Sequence, residues 1–109
     1  MHLVKIYDTS CTICSEIGDT PKELADREGW SYESITMQEL AATFDNRRAY
    51  VVSVYVEPND GMIDLPLILI ETDNGFIQAS GVVKDLSEVD NLIQSWKTWN
   101  STKNAQSAD

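Results

Sequence analysis

Apolar residues in the first third of the chain follow two different spacings. The run from His2 to Tyr7 is almost continuously apolar, which is typical of a central strand that is covered on both faces. From Ile13 to Glu28 the apolar positions keep helical spacing, but Gly18 and Pro21 interrupt them, so we expect a kink or a restart of the helix there. Large and small or polar side chains alternate over residues 30–36, which predicts a second strand.

Polar residues that favour helix starts precede both parts of this helix. Ser10 is predicted to cap the first part, because a serine oxygen can accept a hydrogen bond from a free N–H group of the first turn. The sequence Thr20-Pro21-Lys22-Glu23 has the form of a capping box with proline at the first helical position. It therefore predicts the start of the second part.

The middle of the chain admits two interpretations. Helical spacing from Met37 to Phe44 predicts a short helix to about Arg47, with Arg47-Arg48 at its C-terminal end. The β-branched and aromatic run at 49–56 then predicts a strand, which ends at the turn signal of residues 57–61. The alternative is that this run continues the preceding helix.

A hairpin and a helix are predicted for the rest of the chain. Leu67-Ile68-Leu69-Ile70 is predicted as a buried strand, Asp73-Asn74-Gly75 as the turn, and residues 76–80 as the partner strand. Apolar residues from Leu86 to Trp96 recur at amphipathic helical spacing, and either Asp85 or Ser87 is predicted to cap that last helix. These elements predict an α/β fold.

Length, polarity and charge limit the classes of protein that this chain can represent. The chain has 109 residues, which predicts one domain over 1–97, and the polar segment 98–109 is expected to be a flexible tail. No apolar run approaches the ~20 residues that span a membrane, and no secretory signal is recognisable, so we expect a cytoplasmic protein. The net charge of -10 disfavours nucleic-acid binding and favours partners with a basic docking surface.

The only two cysteines, Cys11 and Cys14, stand between the first strand and the first helix. Cys-x-x-Cys at the start of a helix is the arrangement of a thiol–disulfide redox site, because the free N–H groups and the positive end of the helix dipole favour a thiolate. An effect of up to about 2 kcal/mol would lower a thiol pKa from about 8.5 to about 7. Cys11 comes first, at the exposed end, and is the predicted attacking thiolate, whereas Cys14 would resolve the mixed disulfide.

Lys5 interrupts the apolar run of the first strand and has two interpretations. It either points outwards at an end of the strand, with its aliphatic stem snorkelling along apolar surface, or lies beneath the redox site. In the second case its ammonium group would stabilise a thiolate and tune the site electrostatically.

The alternative to a redox pair is a metal-binding or incidental use of the cysteines. A zinc site needs about four ligands, and beyond the cysteines the chain offers only His2 as a soft donor, so no metal site is predicted within one chain. A metal or iron–sulfur site shared between two chains stays open. So does an interaction module in which the acidic surface and the segment 49–59 carry the function without dithiol turnover.

The order of the predicted elements and two separated motifs resemble the thioredoxin fold. The segment from Gly61 to Ile70 is similar to the thioredoxin segment in which an apolar residue and a cis-proline precede a hydrophobic strand, here at Leu65-Pro66. Asn74-Gly75 matches the hairpin turn of that fold, and Gly81 matches the glycine that ends its last strand. The resemblance covers most of residues 2–97 and implies a central mixed β-sheet flanked by helices.

The resemblance also implies a function and a set of site residues. It implies a thiol–disulfide oxidoreductase of the thioredoxin and glutaredoxin superfamily that reduces protein or glutathione-mixed disulfides and carries no bound cofactor besides the Cys11–Cys14 disulfide. A cis Leu65–Pro66 bond packed beside the disulfide would expose the Leu65 backbone to substrate, and Thr12 and Ile13 would complete the substrate surface. The implied partners are disulfide-containing proteins and a reductase or glutathione as electron donor. We further expect a monomer without membrane or nucleic-acid partners.

This chain departs from both branches of the superfamily. Thioredoxins typically carry Trp-Cys-Gly-Pro-Cys and glutaredoxins Cys-Pro-Tyr-Cys, whereas here Ser10 precedes Cys11 and Thr12-Ile13 separates the cysteines. The buried acid that thioredoxins place six residues before the first cysteine falls on Lys5. The resemblance therefore leaves the electron donor undecided between a thioredoxin-like and a glutaredoxin-like system.

Overall fold

A four-stranded mixed sheet forms the centre of the fold. The structure is a computed structural model that describes residues 1–43 and 45–107, with side chains as far as residue 101. The sheet has the order β2-β1-β3-β4, in which β1 pairs with β2 in parallel and with β3 antiparallel, and β3 and β4 form an antiparallel hairpin. The strands are β1 (His2–Tyr7), β2 (Ser31–Thr36), β3 (Leu67–Glu71) and β4 (Ile77–Val82).

In the described part of the chain, five α-helices lie around this sheet, as the α/β prediction requires. A π-helical turn, Val52–Val56, and a 3-10 turn, Glu57–Asn59, follow directly on the fourth of them. No helix of the described residues combines the length and the apolar character that crossing a membrane requires. The helices are α1 (Thr12–Ile17), α2 (Pro21–Glu28), α3 (Met37–Ala41), α4 (Asn46–Val51) and α5 (Leu86–Ser107).

Each face of the sheet carries its own apolar core because successive strand residues point to opposite faces. On one face Leu3 packs with residues of α1, α2 and α5, and on the other face Val4 and Ile6 pack with residues of α3 and α4. The central strand is therefore buried on both sides, as its continuous apolar run predicts. The first core holds Leu3, Ile17, Ala25, Ile68, Ile70, Val83, Val89 and Ile93; the second holds Val4, Ile6, Ile35, Leu40, Val51, Leu67 and Leu69.

The predicted break in the first helical segment lies between α1 and α2. Gly18 ends α1 at φ +56°, a conformation that glycine adopts without steric penalty, and its N–H donates to the Cys14 carbonyl. Pro21 stands at the start of α2 as predicted, but the capping box is wrong. Thr20 has a helical backbone, and its hydroxyl donates to the Ile17 carbonyl at 2.6 Å instead of accepting from the first turn of α2.

The strand predicted at 49–56 is wrong, and the helical alternative holds. Asp45 caps α4 by accepting from the Arg48 N–H at 3.1 Å, and the chain then stays helical through Asn59. Within this segment the side chains that pack in the second core recur at helical spacing; they are Tyr50, Val51, Tyr55 and Val56. Tertiary packing thus overrides the β propensity of the valines.

The predicted helix from Met37 to Arg47 is likewise two shorter helices. α3 ends at Ala41, and Arg47-Arg48 lie in the first turn of α4 rather than at the C-terminal end of a helix. The prediction for Phe44 lies outside the described residues.

The last helix starts as predicted and ends later. Asp85 caps α5, because its Oδ1 accepts from the Glu88 N–H at 2.9 Å and from the Ser87 hydroxyl at 2.6 Å. Glu88 in turn accepts from the N–H of Lys84, the residue before the cap, at 3.0 Å. α5 continues to Ser107, so the segment predicted as a tail is helical where it is described. Independent motion of residues 98–109 stays a prediction.

Candidate redox site

A disulfide between Cys11 and Cys14 stands at the amino end of α1. Cys11 itself is the N-cap, since its backbone is extended and its Sγ accepts from the Cys14 N–H at 3.1 Å. Ser10, the predicted cap, instead donates its N–H and hydroxyl to Asp8 Oδ1 at 3.1 and 3.2 Å. Because an N–H group and the helix dipole are directed at Cys11 Sγ, the site favours negative charge on that sulfur after reduction.

The two sulfurs differ in accessibility. Cys14 is 2% exposed, within the first turn of α1, whereas Cys11 is partly exposed at the end of the helix. A large disulfide-bearing molecule can therefore reach Cys11 more readily than Cys14. This difference matches the predicted roles of an attacking and a resolving sulfur, which stay predictions.

Leu65 and Pro66, far along the chain, lie next to Cys11. Cys11 Sγ lies 3.8 Å from the Leu65 carbonyl oxygen, and the Leu65–Pro66 peptide bond is cis in the structure. The Pro66 carbonyl accepts from the Val83 N–H at 3.1 Å, which ties this loop to the end of β4. The backbone before β3 is thus held beside the partly exposed sulfur.

Thr12 and Ile13 lie exposed in the first turn of α1, between the two cysteines. Ile13 keeps 37% of its surface accessible and is one of the exposed large apolar side chains. Both side chains therefore lie next to Cys11 in the chain and are open to solvent; their contact with substrate stays a prediction.

Lys5 lies buried beneath the redox helix, so the outward-pointing alternative is wrong. It is 4% exposed, and its Nζ donates to the carbonyls of Cys14 at 3.1 Å and Gly18 at 2.5 Å. The Tyr7 ring centroid is 5.1 Å from the same nitrogen, within the range of a cation–π contact. Burial lowers the pKa of Lys5 from its ordinary value, and the charge of Asp19 partly opposes that shift.

A cavity of about 340 Å³ adjoins this lysine. Lys5, Cys14, Asp19 and Ser34 are among the residues that line it, together with Asp8 beside the redox loop. Asp19 is not predicted as a site residue from the sequence. It stands between α1 and α2, just before the predicted capping box and outside it, and only tertiary packing brings it to the cavity.

Tyr32 of β2 fixes the position of Asp19. Its hydroxyl donates to Asp19 Oδ1 at 3.2 Å, and burial followed by the charge of Asp19 raises the pKa of the phenol above its ordinary value. The carboxylate near Lys5 therefore has a neutral hydrogen-bond donor at ordinary pH.

Within residues 1–43 and 45–107, no group of three or more His, Cys, Asp and Glu side chains is arranged to hold a metal ion. His2 does not approach the cysteines. Its ring nitrogens contact Ser31 Oγ at 2.5 Å and Glu33 Oε2 at 2.9 Å, at the end of β1 away from the disulfide.

Comparison with known proteins shows a structural likeness. No protein-family model and no curated protein sequence matches the chain. Among solved structures, thioredoxin 1 from the thermophilic eubacterium Thermosipho africanus TCF52B is similar, with a TM-score of 0.59 and 17% sequence identity. The match covers 93% of this chain and 99% of the thioredoxin. The chain therefore has a thioredoxin-like α/β fold, with a Cys-x-x-Cys pair at the amino end of its first helix that indicates a redox function.

Proposed function

We propose that this protein is a thiol–disulfide oxidoreductase that reduces disulfides of other proteins, or glutathione-mixed disulfides, through Cys11 and Cys14. The observation that carries the proposal is the pairing of a partly exposed sulfur at a helix N-cap with a buried sulfur one turn further on. The first sulfur is accessible and is stabilised as an anion, and the second is shielded from competing disulfides.

The reaction proceeds by two exchanges of sulfur partners. The Cys11 thiolate attacks one sulfur of the substrate disulfide, and the other substrate sulfur leaves with the bonding electron pair. Cys14 then attacks Cys11 Sγ, the bond from Cys11 to the substrate breaks, and the second substrate sulfur leaves. The cysteine pair loses two electrons and the substrate disulfide gains them.

Leu65 and Pro66, with Thr12 and Ile13, form the proposed substrate surface. An extended substrate segment can pair with the Leu65 backbone in the manner of an added strand, which places its disulfide next to Cys11. The exposed Ile13 side chain, two residues after Cys11, offers apolar contact.

The electron donor that resets the pair is a thiol, supplied by a reductase or by glutathione. The net charge of -10 favours a reductase or substrate with a basic docking surface and disfavours nucleic acid. We propose that the protein works as a monomer in the cytoplasm, where a working dithiol is commoner than a structural disulfide, and that it needs no metal or bound cofactor.

The two cysteine variants test the assignment of roles. Cys14→Ser removes the resolving sulfur, so a mixed disulfide with substrate should accumulate through Cys11 and be visible as a mass increase under non-reducing conditions. Cys11→Ser is the matched control and should trap far less. The opposite result, with the adduct on Cys14, would reverse the roles.

The reduction potential tests the proposal as a whole. Equilibration with defined dithiothreitol or glutathione ratios, followed by alkylation and mass measurement, gives the potential of the pair. A value near about -270 mV indicates a general reductant, and one above about -200 mV indicates glutathione-coupled or oxidising work. A pair that forms no intramolecular disulfide contradicts the proposal and favours an interaction module or a metal site shared between chains.

A further inference from the structure

Lys5 is a buried amine whose hydrogen bonds are directed at the redox helix. It lies on the central strand, and its two hydrogen-bond acceptors are the Cys14 and Gly18 carbonyls of α1 and its C-cap. Two N–H bonds of a tetrahedral nitrogen are used in this way. The remaining position carries a proton when Lys5 is charged and a lone pair when it is neutral, and both forms keep the two carbonyl contacts.

We propose that Lys5 accepts the proton of the Cys14 thiol during the second exchange and returns it when the disulfide is reduced. This inference deepens the proposed function and rests on it, since it concerns the resolving step of the same site. Cys14 and Lys5 line the same cavity, and Lys5 Nζ lies 3.1 Å from the Cys14 carbonyl oxygen. A proton that passes between the two side chains would therefore stay within that cavity.

In the mixed disulfide the S–H bond of Cys14 breaks and the proton moves to the neutral amine of Lys5. The Cys14 sulfur forms a bond to Cys11 Sγ, and the bond between Cys11 and the substrate breaks, with its electron pair on the substrate sulfur. When a donor thiolate later attacks Cys11 Sγ, the Cys11–Cys14 bond breaks and the Cys14 sulfur leaves with its electron pair. The Cys14 sulfur then takes the proton back from Lys5.

The charged and titratable groups around Lys5 allow both of its forms. Burial lowers the pKa of the amine, and Asp19 opposes that shift. Asp8 also lines the cavity, but hydrogen bonds from the backbone and side chain of Ser10 lower the pKa of its carboxyl group. The Tyr7 ring faces the amine, and the Tyr32 phenol is bonded to Asp19. Burial thus acts against the charged form of Lys5, whereas the two carbonyls, the Tyr7 ring and Asp19 act for it.

A lysine is suited to this role in a way that an arginine is not. A guanidinium keeps its proton at every ordinary pH, whereas a buried lysine can lose one. Replacing Lys5 with arginine therefore preserves a cation beneath α1 and removes the proton acceptor. Replacing it with methionine removes both and keeps an unbranched chain of similar length.

Ellman's reagent separates the two exchanges in the full-length protein. When reduced protein is mixed with an equal amount of the reagent, a first thionitrobenzoate is released as Cys11 attacks and a second as Cys14 resolves. Stopped-flow absorbance is recorded for wild type, Lys5→Met and Lys5→Arg over about pH 6 to 10, a range that brackets the ordinary thiol pKa of about 8.5.

We expect both variants to slow the second release about a hundredfold at pH 7, the magnitude of a lost acid–base group, while the first release changes much less. The variant rates should rise about tenfold per pH unit, so that the difference from wild type closes above the ordinary thiol pKa of about 8.5. A Lys5→Arg protein with the wild-type rate and pH profile overturns the proposal, because a fixed cation would then suffice. Unchanged kinetics in Lys5→Met overturn it as well.

A measurement on the unsubstituted lysine covers the case in which a variant does not fold. The Lys5 amine is titrated by nitrogen NMR in the oxidised protein, the reduced protein and reduced Cys14→Ser. We expect its titration to change with the redox state of the pair and to lose that change in Cys14→Ser. A titration at the ordinary lysine pKa in all three overturns the proposal. If the wild-type protein releases no first thionitrobenzoate, or forms no disulfide, the oxidoreductase function itself is contradicted. That outcome is distinguishable from a failure of the Lys5 proposal, in which both releases occur.

Discussion

At the scale of single residues, Arg47 binds the buried carboxylate of Glu71. Glu71 lies at the end of β3 with 4% of its surface exposed, and Arg47 of α4 holds both of its oxygens, with Nη2 at 2.5 Å and Nε at 3.2 Å. The same Nη2 reaches Glu33 at 3.2 Å, which also meets His2. Two hydrogen bonds from one guanidinium to both oxygens of a carboxylate are among the stronger ionic hydrogen bonds of proteins.

Arg47→Met should destabilise the fold because it leaves the buried Glu71 carboxylate without its cation. The expected loss is about 3 kcal/mol in the free energy of unfolding, measured by urea denaturation. Lys22→Met is the matched control. Its partner Asp26 is 59% exposed, so the expected loss is below about 1 kcal/mol. Equal losses in the two variants would contradict the role of burial at Glu71.

At the scale of elements, residues 45–59 show how a helix forms from residues that favour strands. The hydroxyls of Tyr50 and Tyr55 both contact Ser80 Oγ at 2.6 Å, and their rings are 6.3 Å apart. These contacts join α4 and the π-helical turn to β4. The π-helical turn contains one inserted residue relative to an α-helix. This irregularity indicates that tertiary contacts, rather than helix propensity, set the backbone conformation of the segment.

Ser80→Ala should loosen this segment, since two half-buried phenols lose one shared partner. We expect a loss of about 1–2 kcal/mol in the free energy of unfolding. The loss should shrink when Tyr50 and Tyr55 are both replaced by phenylalanine, because the same hydrogen bonds are then absent already. Ser53→Ala, on the exposed side of the π-helical turn, is the control and should change stability by no more than about 0.5 kcal/mol. An undiminished loss in the phenylalanine background would contradict the shared contact.

The elements also show which parts of the structure were predictable from sequence. β1, the hairpin and the Cys11–Cys14 turn are encoded by neighbouring residues, and each was predicted. For residues 49–56 the sequence favours a strand over the helical alternative that the structure shows, because the burial of this segment depends on Ser80 and the second core, although Asp45 as an N-cap is a signal in the sequence. Lys5 was ambiguous for the same reason, since the two carbonyls that bind it belong to another element.

At the scale of the whole molecule, acidic residues outnumber basic ones by 18 to 8. Lys22, Arg27, Arg47 and Lys97 are each already paired with carboxylates of the same chain. The carboxylates left over give the surface a negative potential, which salt screens within about 10 Å at 0.1 M ionic strength. Association with a basic partner should therefore weaken as salt is added.

Glu28 links the stability of the molecule to pH. Its hydrogen bond from Lys97, and then that from Arg27, lower the pKa of its carboxyl group in the folded state. The unfolded chain therefore binds the proton more readily, and the stabilisation is complete above the ordinary glutamate pKa of about 4.3 and lost as pH falls through the lowered folded value.

Comparison with Glu28→Gln isolates this contribution. The difference in unfolding free energy between wild type and variant should be positive but below about 1 kcal/mol at neutral pH, and should vanish in acid. Lys97→Met, which removes the largest cause of the shift, should reduce the same difference. A difference that does not depend on pH would exclude the ionic contribution.

The pairing of β1 and β2 has a spectroscopic consequence. The two strands run in parallel, so the cysteines follow the carboxyl end of β1 while Trp30 precedes the amino end of β2. Six strand residues separate these ends by about 20 Å. Trp30 meets Trp96 of α5 edge to face, with ring centroids 5.5 Å apart. A disulfide quenches indole emission only near contact, so the emission of this tryptophan pair follows the docking of α5 whatever the oxidation state. Unfolding can therefore be recorded by tryptophan emission and reduction by thiol alkylation, as independent signals from one sample.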